Sequence, residues 1–359
     1  MMIRQQAYPR VGLIGNPSDG YHGKTLSFAF SNFHAQVVLY ETPELKILPH
    51  VRDHSEFSGV DELVRDVKLY GYYGGIRLLK ATIKRFCDCC RERDLPLHDR
   101  NFTIRYHSNI PHMVGLAGSS AIIVACMRAL MEYYGVSIPR PELANLVLSV
   151  EKDELGISAG LQDRVVQVYE GLVHMDFDRA IMERDGYGLY EEIDHGLLPP
   201  LYVAYRADLS EQSDVFHNDL RARFERGDPA TLDAMRFWAD LTDQAKQLLL
   251  EGRGAELGPL LNANFDRRAA LCRIGDGNLK MVEAARSVGA SAKFTGSGGA
   301  IVGVYESEAM FDALKNTLSP LGVKTLKPAL VPARGDMAGF GAHRRTDIRN
   351  PKQAAPSDP

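Results

Sequence analysis

Short apolar runs near the N-terminus predict β-strands, because apolar and polar residues alternate in them or form brief stretches that end at turn residues. The predicted strands run from Arg10 to Gly15, Lys24 to Ser31, Ala35 to Tyr40 and Phe102 to His107. Residues 61–93 have a helical composition, which Tyr70 to Gly75 interrupt. The first third of the chain therefore predicts strands together with an interrupted helical segment.

The helical period dominates further along the chain. A helix is predicted from Ser119 to about Tyr134, with Ser119 as its N-cap, because a serine hydroxyl can accept hydrogen bonds from the first turn. Pro139 and Pro141 can open another helix that runs to about Glu154. Residues 212–289 are nearly all helical in pattern, with breaks at residues 227–229, 252–254 and 275–277.

Strand patterns return in the second half of the chain. They cover Gly171 to Phe177, Leu201 to Tyr205, Ala290 to Phe294 and Ala300 to Tyr305, and a helix from Ser307 and a strand near Val323 follow. This order indicates an α+β fold with two lobes that meet at a cleft. The boundary is expected near residue 200, which gives domains 1–200 and 201–343. The polar residues 344–359 are expected to be disordered.

Composition excludes several classes of protein. The chain has 359 residues, 45% of them hydrophobic and 25% charged, with a net charge of −4. Neither nucleic acid nor an acidic membrane surface is therefore expected as a partner. No apolar run has the roughly 18 residues of a membrane span, and the N-terminal residues lack the apolar core of a signal peptide.

The cysteines indicate a reducing compartment. Their number, five, is odd, and Cys87, Cys89 and Cys90 lie together on a predicted helix. A metal site is the alternative, but no second Cys or His pair has the spacing of a zinc site. Reduced thiols in a cytoplasmic protein are the expected state.

The strongest local signal for chemistry is a loop of small residues that leads into a helix, from Pro111 to Ala121. Small residues let a ligand approach the backbone, and the helix N-terminus offers unpaired N–H groups and a positive dipole end. This combination favours phosphate, and the hydroxyls of Ser119 and Ser120 can add a hydrogen bond or an Mg²⁺ ligand. An ordinary tight turn capped by serine is the alternative interpretation.

Two further glycine-containing segments are ambiguous. Gly23-Lys24-Thr25 resembles the end of a P-loop, but Ser18 stands where the first glycine of that motif belongs, so a turn before a strand is expected. Thr295 to Gly299 lies between two predicted strands and is equally typical of a hairpin turn. Its glycines would also allow close packing against another loop, such as the phosphate loop.

Two carboxylates have positions that suit phosphoryl transfer. Glu151 lies on a predicted helix, and Asp163 follows twelve residues later. Transfer to a hydroxyl needs a carboxylate near that hydroxyl and oxygen ligands for Mg²⁺. Taken alone, each of these residues, and Arg10 on the first predicted strand, is more readily interpreted as a surface charge.

Together the segments resemble the three motifs of the GHMP kinases, the family of galactokinase, homoserine kinase and mevalonate kinase. Residues 10–15 match the first motif, Gly115 to Ala121 the phosphate loop and Lys293 to Ala300 the third. Within the family, the chain is similar to the plant-type glucuronokinases, most clearly at residues 15–19, 158–164, 198–202 and 264–268. The resemblance implies an ATP-dependent enzyme that phosphorylates glucuronate at its anomeric hydroxyl.

The resemblance also implies roles for particular residues. Asp163 would accept the proton of the anomeric hydroxyl, and Arg10 would polarise that hydroxyl and lower the pKa of Asp163. Ser120 and Glu151 would bind Mg²⁺. The phosphates of ATP would be held by the residues of the second motif, which are Gly115, Leu116, Ala117, Gly118, Ser119, Ser120 and Ala121.

The chain departs from the sugar kinases at Asn16-Pro17, where galactokinases carry Glu-His. A glutamate there would repel a substrate carboxylate, whereas asparagine keeps hydrogen bonding without the charge. Asp19 is expected to bind sugar hydroxyls, and Gly298 is expected to lie in the substrate site. The substrate's acid group needs a cation, for which Lys24, His22 and Arg164 are candidates, and Arg164 alternatively pairs with Asp163.

Three functions remain open from sequence. Glucuronate kinase activity is the first, and the same chemistry on galacturonate or a neutral sugar is the second. The third is a catalytically silent sensor of nucleotide or sugar on this fold. The oligomeric state is left open.

Overall fold

The computed structural model describes residues 1–50, 53, 57–70, 74–207 and 220–335. The predicted tail at 344–359 and the start of the predicted helical region at 212–219 lie outside the described residues. None of the described helices is both long and apolar enough to cross a membrane.

The described strands form three sheets. In chain order the strands are β1 (Met2–Ala7), β2 (Arg10–Ile14), β3 (Lys24–Ala29), β4 (Ala35–Glu41), β5 (Lys46–Leu48), β6 (Phe102–Ser108), β7 (Leu172–Asp176), β8 (Leu189–Ile193), β9 (Leu201–Tyr205), β10 (Lys293–Phe294), β11 (Ala300–Val304) and β12 (Lys324–Leu326). The strand orders are β1-β4-β6-β5, β2-β3-β7-β8 and β10-β11-β9-β12. Only β5 and β6 pair in parallel among these strands. The antiparallel sheets and separate helices confirm the predicted α+β class.

The helices cover the sheets. In chain order they are α1 (Val60–Tyr70), α2 (Gly75–Glu92), α3 (Gly118–Tyr134), α4 (Arg140–Ser149), α5 (Leu161–Tyr169), α6 (Arg179–Asp185), α7 (Pro229–Leu250), α8 (Leu257–Leu271), α9 (Asp276–Ser287) and α10 (Glu308–Leu318). Residues 220–225 are also helical. Helix α3 packs on α2 and the first sheet, whereas α7 packs on β3.

Apolar side chains assemble into two clusters. The larger one extends from Ile3 to Val331 in sequence and includes Phe28 of β3 and Trp238 of α7. The smaller one is built from the third sheet and helices α8, α9 and α10. The larger cluster thus contains residues from both sides of position 200. Helix α7, which follows that position, packs on β3 and so supports the second sheet. The division into domains at residue 200 stays a prediction.

Several predicted elements differ from the observed ones. Helix α5 was not predicted, nor were α6 and strands β1, β5 and β8. Strand β10 is shorter than predicted, since only Lys293 and Phe294 pair with β11. The predicted N-cap at Ser119 is wrong, because α3 begins at Gly118 and Ala117 precedes it in the left-handed conformation, with φ of 60°.

The cysteine cluster lies on α2, as predicted. Cys89 and Cys90 are buried and Cys87 is half-buried, and all three are free thiols. Burial raises the pKa of Cys90 to about 11 and also raises the pKa of Cys87. The thiolate forms that bind metal are therefore disfavoured at neutral pH.

We expect Trp238→Ala to destabilise the protein by about 3–5 kcal/mol, because it empties a fully buried position. Trp238 is also a structural link, since its indole N–H donates to the carbonyl oxygen of Asn264 at 3.1 Å. The free energy of unfolding, from urea titrations followed by circular dichroism, measures the loss. Leu250→Ala on the same helix, where 54% of the leucine is exposed, is the control and should change stability by less than about 1 kcal/mol. Equal losses in both variants would contradict the assignment of Trp238 to the core.

Candidate active site

A cavity of about 630 Å³ lies where the first two motifs meet the end of the third. Its wall combines residues from β2, the loop before α3, the start of α5 and the loop between β10 and β11. Among the lining residues are Arg10, Asn16, Asp19, Gly115, Ser119, Ser120, Glu151, Asp163, Arg164, Arg268 and Ser297. Most of the predicted site residues are therefore brought together, although they are far apart in the chain.

Arg10 connects three parts of this wall. It is the first residue of β2 and is 5% exposed. Its Nε donates to Oδ1 of Asp163 at 2.5 Å, and its Nη1 donates to the carbonyl oxygens of Gly115 at 2.6 Å and Thr295 at 3.1 Å. One planar guanidinium group thus fixes the relative positions of a carboxylate and two loops.

Asp163 lies in the first turn of α5, close behind the extended residue Gly160. Its side chain is 20% exposed, compared with 6% for that of Arg10. Its second carboxylate oxygen, Oδ2, is 3.4 Å from Nη1 of Arg164. The carboxylate is therefore held between two guanidinium groups while it remains accessible from the cavity.

Glu151 and Arg164 form a buried ion pair. Glu151 lies in a wide helical turn, Val150–Glu154, that continues α4. Both Nε and Nη2 of Arg164 donate to Oε2 of Glu151, the former at 2.6 Å. Burial raises the pKa of Glu151, and the charge of Arg164 opposes that shift. The main partner of Arg164 is thus Glu151, a pairing that sequence reasoning did not consider.

The ionised form of the Asp19 carboxylate is disfavoured in the cavity. Burial and the nearby charge of Asp163 raise the pKa of Asp19 to about 6, against the lowering effect of Arg10. A Cβ atom on Gly160 would lie 2.3 Å from Oδ2 of Asp19. A glycine is therefore required at position 160 for this packing.

The phosphate loop has the backbone that its small residues permit. Met113 and Gly115 have φ angles of 56° and 68°, and Ala117 completes the entry to α3. The Ser120 hydroxyl and the Gln167 amide both donate to the carbonyl oxygen of Ala117, at 3.2 Å and 2.7 Å. Residues 115–120 line the cavity, whereas Ala121 is fully buried and is not among the lining residues. The N-terminus of α3 therefore lies at this wall.

The loop between β10 and β11 packs against the phosphate loop. A Cβ atom on Gly296 would lie 2.6 Å from the carbonyl oxygen of Gly115, and one on Gly115 would lie 3.0 Å from that of Gly298. The predicted close packing of these loops is confirmed. Gly298 itself does not line the cavity, unlike Gly296 and Ser297.

Arg268 is a site residue that sequence reasoning missed. It is 3% exposed and donates to the carbonyl oxygens of Gly296 at 2.8 Å and Ser297 at 2.9 Å. It lies in the segment 264–268 that resembles glucuronokinases, which is the signal that could have identified it. Arg268 holds the third motif in place and adds a cation to the cavity wall.

Two predicted acid-binding candidates lie elsewhere. The Lys24 ammonium group is 2.7 Å from Asp243 and 3.5 Å from Asp176, so two carboxylates compensate its charge. His22 is exposed, and neither Lys24 nor His22 lines the cavity. Of the three candidates only Arg164 reaches it.

The predicted interruption near residue 70 is only partly described. Gly75 lines the cavity, and a Cβ atom there would lie 2.0 Å from the Tyr106 ring. The Tyr106 hydroxyl donates to Asp53, which also accepts from the Gly75 N–H at 2.6 Å. Residues 71–73 and the Tyr70 side chain lie outside the described residues.

Comparison with known proteins identifies the family. Residues 77–171 match the model of the GHMP kinases N terminal domain. In structure, the chain is similar to galactokinase of Lactococcus lactis, with a TM-score of 0.70, 14% identity, and coverage of 93% of this chain and 95% of that one. Since two curated relatives are also 44–45% identical to it over 84% of its length, the chain belongs to the GHMP kinases, and it is an ATP-dependent phosphotransferase that acts on an alcohol group.

Within the family, the chain is similar to curated glucuronokinases. The chain is 45% identical over 309 residues to probable glucuronokinase 2 of Arabidopsis thaliana, covering 84% of each chain. It is 44% identical over 307 residues to glucuronokinase 1 of the same plant, also covering 84% of each. The predicted resemblance to glucuronokinases is confirmed.

We expect Asp19→Asn to stabilise the protein relative to the parent, and this gain in the free energy of unfolding should be larger at pH 8 than at pH 4. The folded-state pKa of Asp19, about 6, lies above its ordinary value of 3.8, so ionisation of Asp19 as pH rises from 4 to above 6 lowers the free energy of unfolding. The variant lacks this loss, which is on the order of 2–3 kcal/mol. Urea unfolding at both pH values measures it. Asp312→Asn, on an exposed position, is the control. An equal difference in unfolding free energy between Asp19→Asn and the parent at both pH values would contradict the raised pKa of Asp19.

We expect Gly296→Ala to reduce ATP turnover at least tenfold. Its methyl group would overlap the Gly115 carbonyl oxygen and lie 3.0 Å from the Arg10 guanidinium, so the two loops must separate. Steady-state kinetics with varied ATP should show a raised KM for ATP. Gly59→Ala is the control because a Cβ atom there meets no atom within 4 Å, and unchanged kinetics in Gly296→Ala would argue against the loop contact.

Proposed function

We propose that the protein phosphorylates D-glucuronate at its anomeric hydroxyl with ATP, giving glucuronate 1-phosphate and ADP. The observation that carries the chemistry is the 2.5 Å contact between Arg10 and Asp163 in the wall that also contains the phosphate loop. Transfer to a hydroxyl requires a carboxylate near the acceptor and N–H donors near the phosphates. The substrate class is supported by the two Arabidopsis relatives, which are named for glucuronokinase activity.

The reaction is a direct transfer. The anomeric oxygen forms a bond to the γ-phosphorus, the bond from that phosphorus to the bridging oxygen breaks, and ADP leaves. Asp163 accepts the proton of the hydroxyl, and Arg10 keeps the carboxylate oriented. The N–H groups at the start of α3 stabilise the charge on the transferred phosphoryl group.

Mg²⁺ is proposed as the metal cofactor, and it would neutralise charge on the ATP phosphates. Ser120 and Glu151, which both line the cavity, would hold it. A hydroxyl and a carboxylate are oxygen ligands of the kind that Mg²⁺ prefers, and substrate phosphates and water usually complete such a site. The two side chains therefore fit the ion in chemical type.

The charges of the wall support an acidic sugar. Arg164 and Arg268 contribute cations to the same cavity as Arg10, and the amide of Asn16 stands where galactokinases carry a carboxylate. The wall also holds the carboxylates of Asp19, Glu151 and Asp163, so a substrate carboxylate would bind at a guanidinium group, which can contact it through two N–H donors. Arg164 and Arg268 replace Lys24 and His22 as the candidates that bind it, and Asp19 is proposed to bind sugar hydroxyls.

The alternatives are galacturonate or a neutral sugar as the substrate. The third interpretation, a silent sensor, is set aside because the chain is a phosphotransferase and because Arg10, Asp163, Ser120 and Glu151 line one cavity. A cytoplasmic location and the absence of nucleic acid partners stay predictions.

We expect release of ADP from Mg-ATP to be fastest with glucuronate among glucuronate, galacturonate, glucose and galactose. Asp163→Asn should lower kcat about 10²- to 10⁴-fold, because the amide accepts no proton. A coupled ADP assay measures both.

Asp153→Asn, on an exposed carboxylate nearby, is the matched control and should retain activity. Preference for a neutral sugar would reject the substrate and keep the kinase chemistry. Full activity in Asp163→Asn would reject the base, and ATP binding without turnover of any of the four sugars would indicate a substrate outside this panel.

A further inference from the structure

Lys293 is a lysine of the third motif whose side chain is buried. It lies at the start of β10 and is 1% exposed. Its ammonium group donates to the carbonyl oxygens of Gly12 and Phe294, both at 2.7 Å, and to Oδ1 of Asn16 at 2.5 Å. Three acceptors match the three N–H groups of the ammonium.

The contact with Lys293 determines how the Asn16 carboxamide is oriented. An ammonium group has donors and no acceptor, so the oxygen of the amide must face it. The two N–H donors of Asn16 then lie on the other branch of the amide, and Asn16 is among the residues that line the cavity. Asn16 therefore offers the cavity hydrogen-bond donors.

The surroundings leave the amide little freedom to rotate. Asn16 is 5% exposed, and its own carbonyl oxygen accepts from Nδ2 of Asn264 at 3.1 Å. A Cβ atom on Gly12 would lie 3.2 Å from Cγ of Asn16. Since side chain and backbone are both held, turning the amide would break the contact with Lys293 and leave a buried donor unpaired.

The electrostatic environment agrees with a site for an oxygen anion. Burial, together with the charges of Arg268 and Arg10, lowers the pKa of Lys293. Three basic side chains are thus close enough to influence one another beside Asn16. A negative group of the substrate would relieve this mutual repulsion.

We propose that Lys293 is a positioning residue that turns the N–H face of Asn16 toward the cavity and so makes the site select sugars that present a carboxylate there. This inference rests on the proposed function, because it specifies how the acid group is distinguished from a neutral one. Lys293 acts through Asn16 and does not take part in the transfer.

Asn16→Asp tests the selection without removing Lys293. The new carboxylate can still accept from the ammonium group, so folding is retained, but it presents oxygen in place of N–H to the cavity. We expect the ratio of kcat/KM for glucuronate to that for glucose to fall at least tenfold, with KM for ATP unchanged. An unchanged ratio would overturn the proposal.

Coupling between the two residues tests the positioning. Lys293→Met keeps a similar volume without the charge, and we expect it, like Asn16→Ala, to raise KM for glucuronate about tenfold. The double variant should be no worse than either single variant, because both remove the same oriented donor. Effects that multiply in the double variant would show that the residues act independently and would overturn the proposal. Thermal unfolding and ATP binding report whether each variant is folded. If Lys293→Met is unfolded, the proposal is tested by the ratio of kcat/KM for glucuronate to that for glucose in Asn16→Asp.

Failure of the proposed function gives a different result. If the parent phosphorylates only a neutral sugar, glucuronate is rejected as the substrate and selection of a carboxylate is rejected with it. The comparison of the single and double variants of Asn16 and Lys293, measured on the KM for that sugar, then tests only whether Lys293 positions Asn16. Additive effects there would overturn it, and coupled effects would support it.

Discussion

The contact between Arg10 and Asp163 is the interaction on which the site depends. Residues 115, 163 and 295 belong to different elements, yet the guanidinium group of Arg10 bonds to all three. Because its donors are planar and fixed, a shift of either loop disturbs the carboxylate. The position of the Asp163 carboxylate and the shape of the loop before α3 are therefore coupled, because both depend on Arg10 at the start of strand β2.

The cavity concentrates charge that the fold must accommodate. Glu151 and Arg164 are both buried and compensate each other, whereas the pKa of Asp19 is raised by burial and by the nearby charge of Asp163. Such arrangements lower stability and are tolerated where ligand binding requires them. The apolar cluster around Phe28 and Trp238 supplies the rigid support, since Trp238 holds Asn264, which in turn bonds to residues 15 and 16.

Local pattern was sufficient for the elements that carry clear signals. Strands β2, β3, β4 and β6 and helix α3 were predicted to within a few residues, because their apolar runs or alternating patterns are bounded by turn residues and glycines. Helix α5 was missed because it is nine residues long and rich in valine, which has low intrinsic helix propensity. Its packing against α4 and the second sheet stabilises it. The N-cap at Ser119 was wrong for a related reason, since the left-handed Ala117 depends on the contacts of the loop.

The residue types of the chain were enough, through resemblance, to identify the family and the α+β class and to predict a phosphate loop and an Arg10 side chain beside Asp163. For the other charged side chains, the tertiary structure decided which partner each one has. Lys24 and Lys293 are both lysines near glycines of a motif, but one pairs with Asp176 and Asp243 and the other is buried against Asn16. The physical reason is distance along the sequence: Asn16 and Lys293 are 277 residues apart, so no local pattern contains their contact.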